Sequence, residues 1–304
     1  MITVAICTRD PEILRLMRVC EALRKQSLPS AEWNLLVVDN GSQTPLRDRL
    51  DVGWHSRAAF VDESTPGLTP ARLAAIDAST GDLVFVDDDN LLRPNYLEAA
   101  SMILRDVPWV GAFGGSVELE FGVSPPAWTE MFHGLLAARR VDRDMWSNLY
   151  VGNPALPCGA GMVVRREVAE AYRMLVEKDP RRQAMDRKGQ SLVSDGDTDL
   201  ALTACDLGLG CGQFAQLTLR HVIPSSRFEL EYLERLAHGM AYSGVCLRAL
   251  REETRHEVKT PGRWEKLRSL GQDFRLNGPQ RRVRRAWARG REAALADVRT
   301  QWGI

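Results

Sequence analysis

Three consecutive carboxylates, Asp87, Asp88 and Asp89, close an apolar run in LVFVDDDNLL, residues 83–92. Two such charges about 5 Å apart repel by about 3 kcal/mol at an effective dielectric near 20. The triplet therefore needs water or a cation beside it. A divalent metal is the natural partner, because hard cations prefer carboxylate oxygens. An ion held by only one or two carboxylates keeps positions open for phosphate oxygens. A second acidic group, Asp195, Asp197 and Asp199, stands in SDGDTDLAL, residues 194–202. Carboxylates at a helix start can cap its free N–H groups or take a proton from a substrate hydroxyl. His221, in LTLRHVIP, ends a strand-like run, where an imidazole serves packing or metal ligation.

The elements around these residues alternate. ITVAIC reads as a buried strand, and the Ile13, Leu16, Met17, Cys20, Leu23 spacing predicts a helix after it, with Asp10 as its N-cap and Pro11 at its first position. LLVVD predicts a second strand, AAFVDE a third and LVFVDD a fourth. Between the last two, TPARLAAIDAST predicts a helix capped by Thr69. Alternating strands and helices specify an α/β domain with a mostly parallel sheet. Ligands of such sheets sit beyond the carboxyl ends of the strands. Asp10, Asp39 and Asp87–Asp89 all fall at those ends. No GxGxxG or GxxxxGK[ST] loop is present, so a phosphate ligand would depend on metal and side chains.

Composition narrows the classes. The 304 residues carry 40 Lys and Arg against 40 Asp and Glu, which excludes bulk attraction to nucleic acid. Six scattered cysteines form no CxxC pair, and their apolar surroundings fit a reducing compartment, the cytoplasm. No run approaches 18 apolar residues, and the N-terminus lacks a signal-peptide pattern.

ITVAICTRD, LLVVDNGS, ARLAAIDASTGDLVFVDDDN and DGDTDLAL, in that order, resemble the family 2 glycosyltransferases, which have the GT-A fold. The resemblance covers residues 2–225; the expected catalytic domain is 1–225, with 226–304 as a helical C-terminal extension. It implies a nucleoside-diphosphate sugar donor, with uridine as the expected nucleoside, and inverting transfer to a hydroxyl on a glycan or lipid-linked acceptor. By the same resemblance Thr8 lies near the nucleoside, Asp39 accepts from the base, and Arg72 sits near base and phosphates. Asp87 and Asp88 face the ribose and sugar. Asp89 and His221 hold Mn2+ or Mg2+, the imidazole favouring Mn2+.

The family pattern at the base is Glu-Asp, two residues, then Leu. Aligned so, Asp197 is the base and Gly196 stands where the Glu belongs, which leaves Asp195 as a rival. A helix N-terminus lowers a carboxylate pKa, while neighbouring carboxylates and donor phosphates raise it. PCGAGMVVRRE resembles the segment that lies beside the acceptor, and Trp128 and Trp146 are candidates for stacking on a sugar. A sugar-1-phosphate nucleotidyltransferase would need a Gly-rich loop that CTRDPEIL lacks. The remaining alternative is a nucleotide-sugar binding protein without turnover. TPGRW, residues 260–264, has Thr where the QxxRW motif of processive synthases has Gln. The Arg-rich stretch 280–299, with Trp287, suggests peripheral contact with an anionic membrane.

Overall fold

The computed structural model describes residues 1–187, 192–252 and 276–301. TPGRW lies outside them. The first strand, β1 (Ile2–Thr8), pairs in parallel with β2 (Trp33–Asp39) on one side and β4 (Asp82–Val86) on the other. β3 (Ala58–Asp62) extends the sheet beyond β2. Strand order therefore reverses at β1. The gap beyond its carboxyl end, beside that of β4, is where α/β sheets take ligands.

The helices on this half follow the apolar spacing. α1 (Ile13–Arg24) buries Leu16, Val19, Cys20 and Leu23. Its cap is Glu12, whose carboxylate accepts from the Leu14 and Arg15 amides, rather than the expected Asp10. Asp10 instead accepts from the Gln43 amide, with φ at +47°. α2 (Leu68–Ala78) starts one residue before Thr69, from Gly67 at φ +140°, so Thr69 lies inside the helix and its hydroxyl is free to bond elsewhere.

The second half joins the same sheet. β5 (Asn90–Leu92) follows β4 directly, and α3 (Tyr96–Asp106) leads to the long β6 (Val110–Phe121). After β7 (Met145–Ser147) and β8 (Val163–Val164) come α4 (Arg166–Lys178), α5 (Gly196–Asp206) and β9 (Gly210–Ile223). The path across the sheet is β3-β2-β1-β4-β8-β6-β9-β5, with β7 also on β9. β1 to β4 are parallel, as the alternation predicts, while β8 and β5 run antiparallel to their neighbours. Two cores cover its faces. One centres on Ile6, Leu16, Trp33, Val84 and Phe113, and the other on Val38, Phe85, Met162, Tyr172 and Leu200.

From Leu230 the described chain is helical. α6 (Leu230–Glu252) packs on α7 (Gly278–Gln301) through Cys246, Leu247, Leu250, Ala294 and Val298. Gly290 is required there, because a Cβ would run into the His238 backbone. No described helix is long and apolar enough to cross a membrane.

Candidate active site

A cleft of about 490 Å³ opens at the strand ends, a volume suited to a small ligand. Thr8, Asn40, Arg72, Asp87–Asp89, Cys158–Ala160, Asp195, Asp197, His221 and Arg227 are in its wall.

The acidic triplet is compensated by the chain itself. Asp88 accepts a hydrogen bond from the Thr8 hydroxyl at 2.7 Å, a tie between the ends of β1 and β4. Arg15 lies 4.0 Å from its other oxygen. Burial, with the charge of Asp89, still raises the Asp88 pKa. Asp87 is pushed up to about 6 by burial and by Asp89, offset in part by Arg72. Asp89 is the most buried of the three, 3% exposed, and the best paired. Its Oδ2 is 3.0 Å from Arg227 and 3.3 Å from His221 Nε2, and its Oδ1 accepts from Asn90. Burial opposes its ionisation, but the charge of Arg227 lowers the carboxyl pKa.

Strand pairing brings His221 here. Asn90 of β5 faces His221 of β9, and the Val222 amide bonds the Asp89 carbonyl at 2.9 Å. His221 Nδ1 is 3.0 Å from the Leu136 carbonyl, so it carries the proton, while Nε2 accepts from Arg227 at 3.2 Å. A ring tied in this way presents Nε2 as a lone-pair donor, the tautomer that ligates metals. Asp89 and His221 thus fit a divalent ion as an oxygen and nitrogen pair. Among the described residues no group of three His, Cys, Asp or Glu is gathered to hold an ion by itself.

Arg72 is in the cleft wall and only 2% exposed. Its guanidinium contacts Asp197 and lies 3.2 Å from Asp186, with its carbon 5.6 Å from the Phe85 ring centre. Burial works against its charge, but Asp197 and Asp186 outweigh that and raise its pKa. Both its acidic neighbours come from elements far along the chain, so Arg72 is a buried counter-ion at the floor of the cleft.

The acids of α5 separate by environment. Asp197 is in the cleft wall, held by Arg72 and packed against Gly159 so closely that a Cβ on Gly159 would collide with its carboxylate. Asp195 accepts from the Ser243 hydroxyl of α6, and burial raises its pKa. Asp199 is fully buried between Arg182 and Arg251, at 2.6 and 2.8 Å, away from the cleft. Of the two rivals, Asp195 is tied to α6, and Asp197 is the one clamped against the Gly-rich segment.

Asp39 does not line the cleft; its neighbour Asn40 does. Asp39 accepts from the Ser42 and Leu46 amides, at 2.9 and 2.8 Å, and shapes the loop that follows β2. Burial opposes its charge, but these hydrogen bonds lower its pKa. Trp128 packs on Phe132 at 6.3 Å, and exposed Trp146 lies on β7; neither is in the cleft wall. Sequence reasoning missed Asp186 and Arg227. Asp186 follows one short 3-10 turn and Arg227 lies in another, with no spacing that links them to the motifs.

A family model described as glycosyltransferase-like family 2 matches residues 2–238. The chain belongs to this family. Among solved structures, S. aureus TarS 1–349 is similar at 13% identity and a TM-score of 0.50, over 98% of this chain and 91% of that one. The same protein in complex with UDP-GlcNAc is similar at 11% identity and a TM-score of 0.51, over 95% and 79%. A longer TarS chain is matched over only 39% of its length. At such identities the likeness concerns the fold, which is of the GT-A type. No curated protein sequence matches the chain.

Proposed function

We propose that this family 2 glycosyltransferase chain moves a sugar from a uridine-diphosphate sugar to an acceptor hydroxyl with inversion at the anomeric carbon. The observation that carries the reading is Asp197. It is a single carboxylate, oriented by Arg72, in the same cleft as the acids at the end of β4. S. aureus TarS holds UDP-GlcNAc in its crystal, and that likeness of fold motivates the choice of donor.

In this reading the diphosphate lies beyond β1 and β4, near Thr8, Asp88 and Arg227. Asp197 Oδ2 accepts the proton of the acceptor hydroxyl, and the hydroxyl oxygen forms a bond to the anomeric carbon. The bond from that carbon to the diphosphate oxygen breaks, and its electron pair leaves with the nucleoside diphosphate. One displacement inverts the centre. Gly159, pressed against Asp197, lets the acceptor-side backbone come close to the base.

Asp89 and His221 would hold Mn2+ or Mg2+, and such an ion supplies positive charge to the departing diphosphate. Arg227 now bridges those two residues, so its guanidinium must turn from them when they take an ion. Asp39 acts through the loop it caps, beside Asn40.

The acceptor in this reading is a glycan or a lipid-linked chain. Exposed Arg281, Arg285 and Arg289 share one side of α7, and exposed Trp287 and Arg291 lie round from it, a basic surface suited to anionic lipid, while Val283 and Ala286 face the protein. Flotation with vesicles of phosphatidylglycerol should retain the chain, and changing these four arginines to Gln should release it. Equal retention of both would remove the membrane contact.

The central test is release of UDP from UDP-sugars with Mn2+ and candidate acceptors. Asp197→Asn should abolish turnover and keep UDP binding. Full activity in that variant would assign the base elsewhere, and UDP binding without any turnover in the native chain would favour a binding protein.

A further inference from the structure

Position 196 is a glycine at the start of α5, where the family pattern carries a Glu. The structure shows why no side chain fits. A Cβ on Gly196 would fall inside the Asp186 carboxylate, well within van der Waals contact of both oxygens. The space beside the base is therefore filled by a carboxylate from another segment.

Asp186 is 4% exposed and not in the cleft wall. Its Oδ2 accepts from the Thr69 hydroxyl at 2.9 Å and from Arg72 at 3.2 Å. The same guanidinium nitrogen of Arg72 contacts Asp197 Oδ1. The Met185 carbonyl accepts from the Asp195 amide at 2.9 Å, which locks this segment to the entry of α5. Two carboxylates thus share one buried guanidinium, one behind it and one at the cleft. A guanidinium with both partners has a defined direction. With Asp197 alone it can swing, and the base swings with it.

We propose that Asp186 is a positioning residue for the base: it anchors Arg72 from behind, so that Arg72 fixes the carboxylate of Asp197 in the cleft. The inference rests on the assignment of Asp197 as base. Asp186 touches no substrate in this arrangement and acts through Arg72. Position 196 and position 186 are linked by volume, since either can fill the space and both cannot.

Two substitutions perturb the same carboxylate differently. Asp186→Asn keeps the shape and removes the charge. Gly196→Ala keeps the charge and displaces the carboxylate. Each should lower kcat about 10- to 100-fold, the scale of a misplaced catalytic group. UDP affinity by calorimetry and the donor KM should stay within about twofold of native, since binding is not what is lost.

Native kcat in both single variants overturns the proposal. So does a loss shared equally with UDP binding. Should Asp186→Asn fail to fold, Gly196→Ala decides alone. If Asp197→Asn itself keeps full turnover, the assignment of the base fails, a result distinct from every outcome at Asp186.

Discussion

Asn90 and His221 face each other across the β5–β9 ladder, and that pairing sets His221 Nε2 3.3 Å from Asp89. The register, not local sequence, makes the oxygen and nitrogen pair. With Nδ1 committed to Leu136, His221→Ala should weaken the Mn2+-dependent gain in UDP affinity by about 10- to 100-fold, while metal-free UDP binding changes little. Titration calorimetry with and without Mn2+ reads both.

Arg227 donates to both members of that pair, so it competes with any added cation. Arg227→Gln should tighten Mn2+ binding to the nucleotide-free chain, by about tenfold if its charge is the main competitor. Electron spin resonance of free Mn2+ gives the affinity directly. Weaker binding would mean that Arg227 supports the site instead.

A methyl group on Gly159 would have to displace Asp197 Oδ2. Gly159→Ala should cut kcat by about 100-fold without unfolding the chain. Steady-state turnover beside a thermal melt separates the two effects.

Asp199 has no exposure and two arginine partners. Asp199→Asn leaves Arg182 and Arg251 without their shared charge and should cost about 3–5 kcal/mol of stability. Denaturant unfolding measures this. The effect should appear in stability before activity, because Asp199 is not in the cleft wall.

Burial raises the Asp186 carboxyl to about 6, against an ordinary value of 3.8. The folded state therefore binds its proton more tightly than the unfolded chain. That contribution to stability is complete below about 3.8 and is lost as pH rises through about 6. Melting temperature measured from pH 4 to 7 should fall by a few degrees more in the native chain than in Asp186→Asn. A parallel pH dependence in the two would place the proton elsewhere.

Local sequence determined the elements and the kind of chemistry. The apolar runs ending at Thr8, Asp39 and Val86 specify strands, and their shared ends put polar residues on one rim, because strand and helix periods are short-range properties of the chain. The carboxylate triplet and the acidic start of α5 were legible for the same reason. Tertiary structure alone decided the partners. Arg72 became the counter-ion of Asp197 and Asp186, Arg227 the bridge between Asp89 and His221, and Asp39 the support of a loop rather than part of the cleft wall. A buried charge is settled by which opposite charge the fold delivers within a few ångströms, and these partners come from segments far apart along the chain. For the same reason Gly196, which looks like a gap in the motif when read along the chain, is in space the position that Asp186 fills.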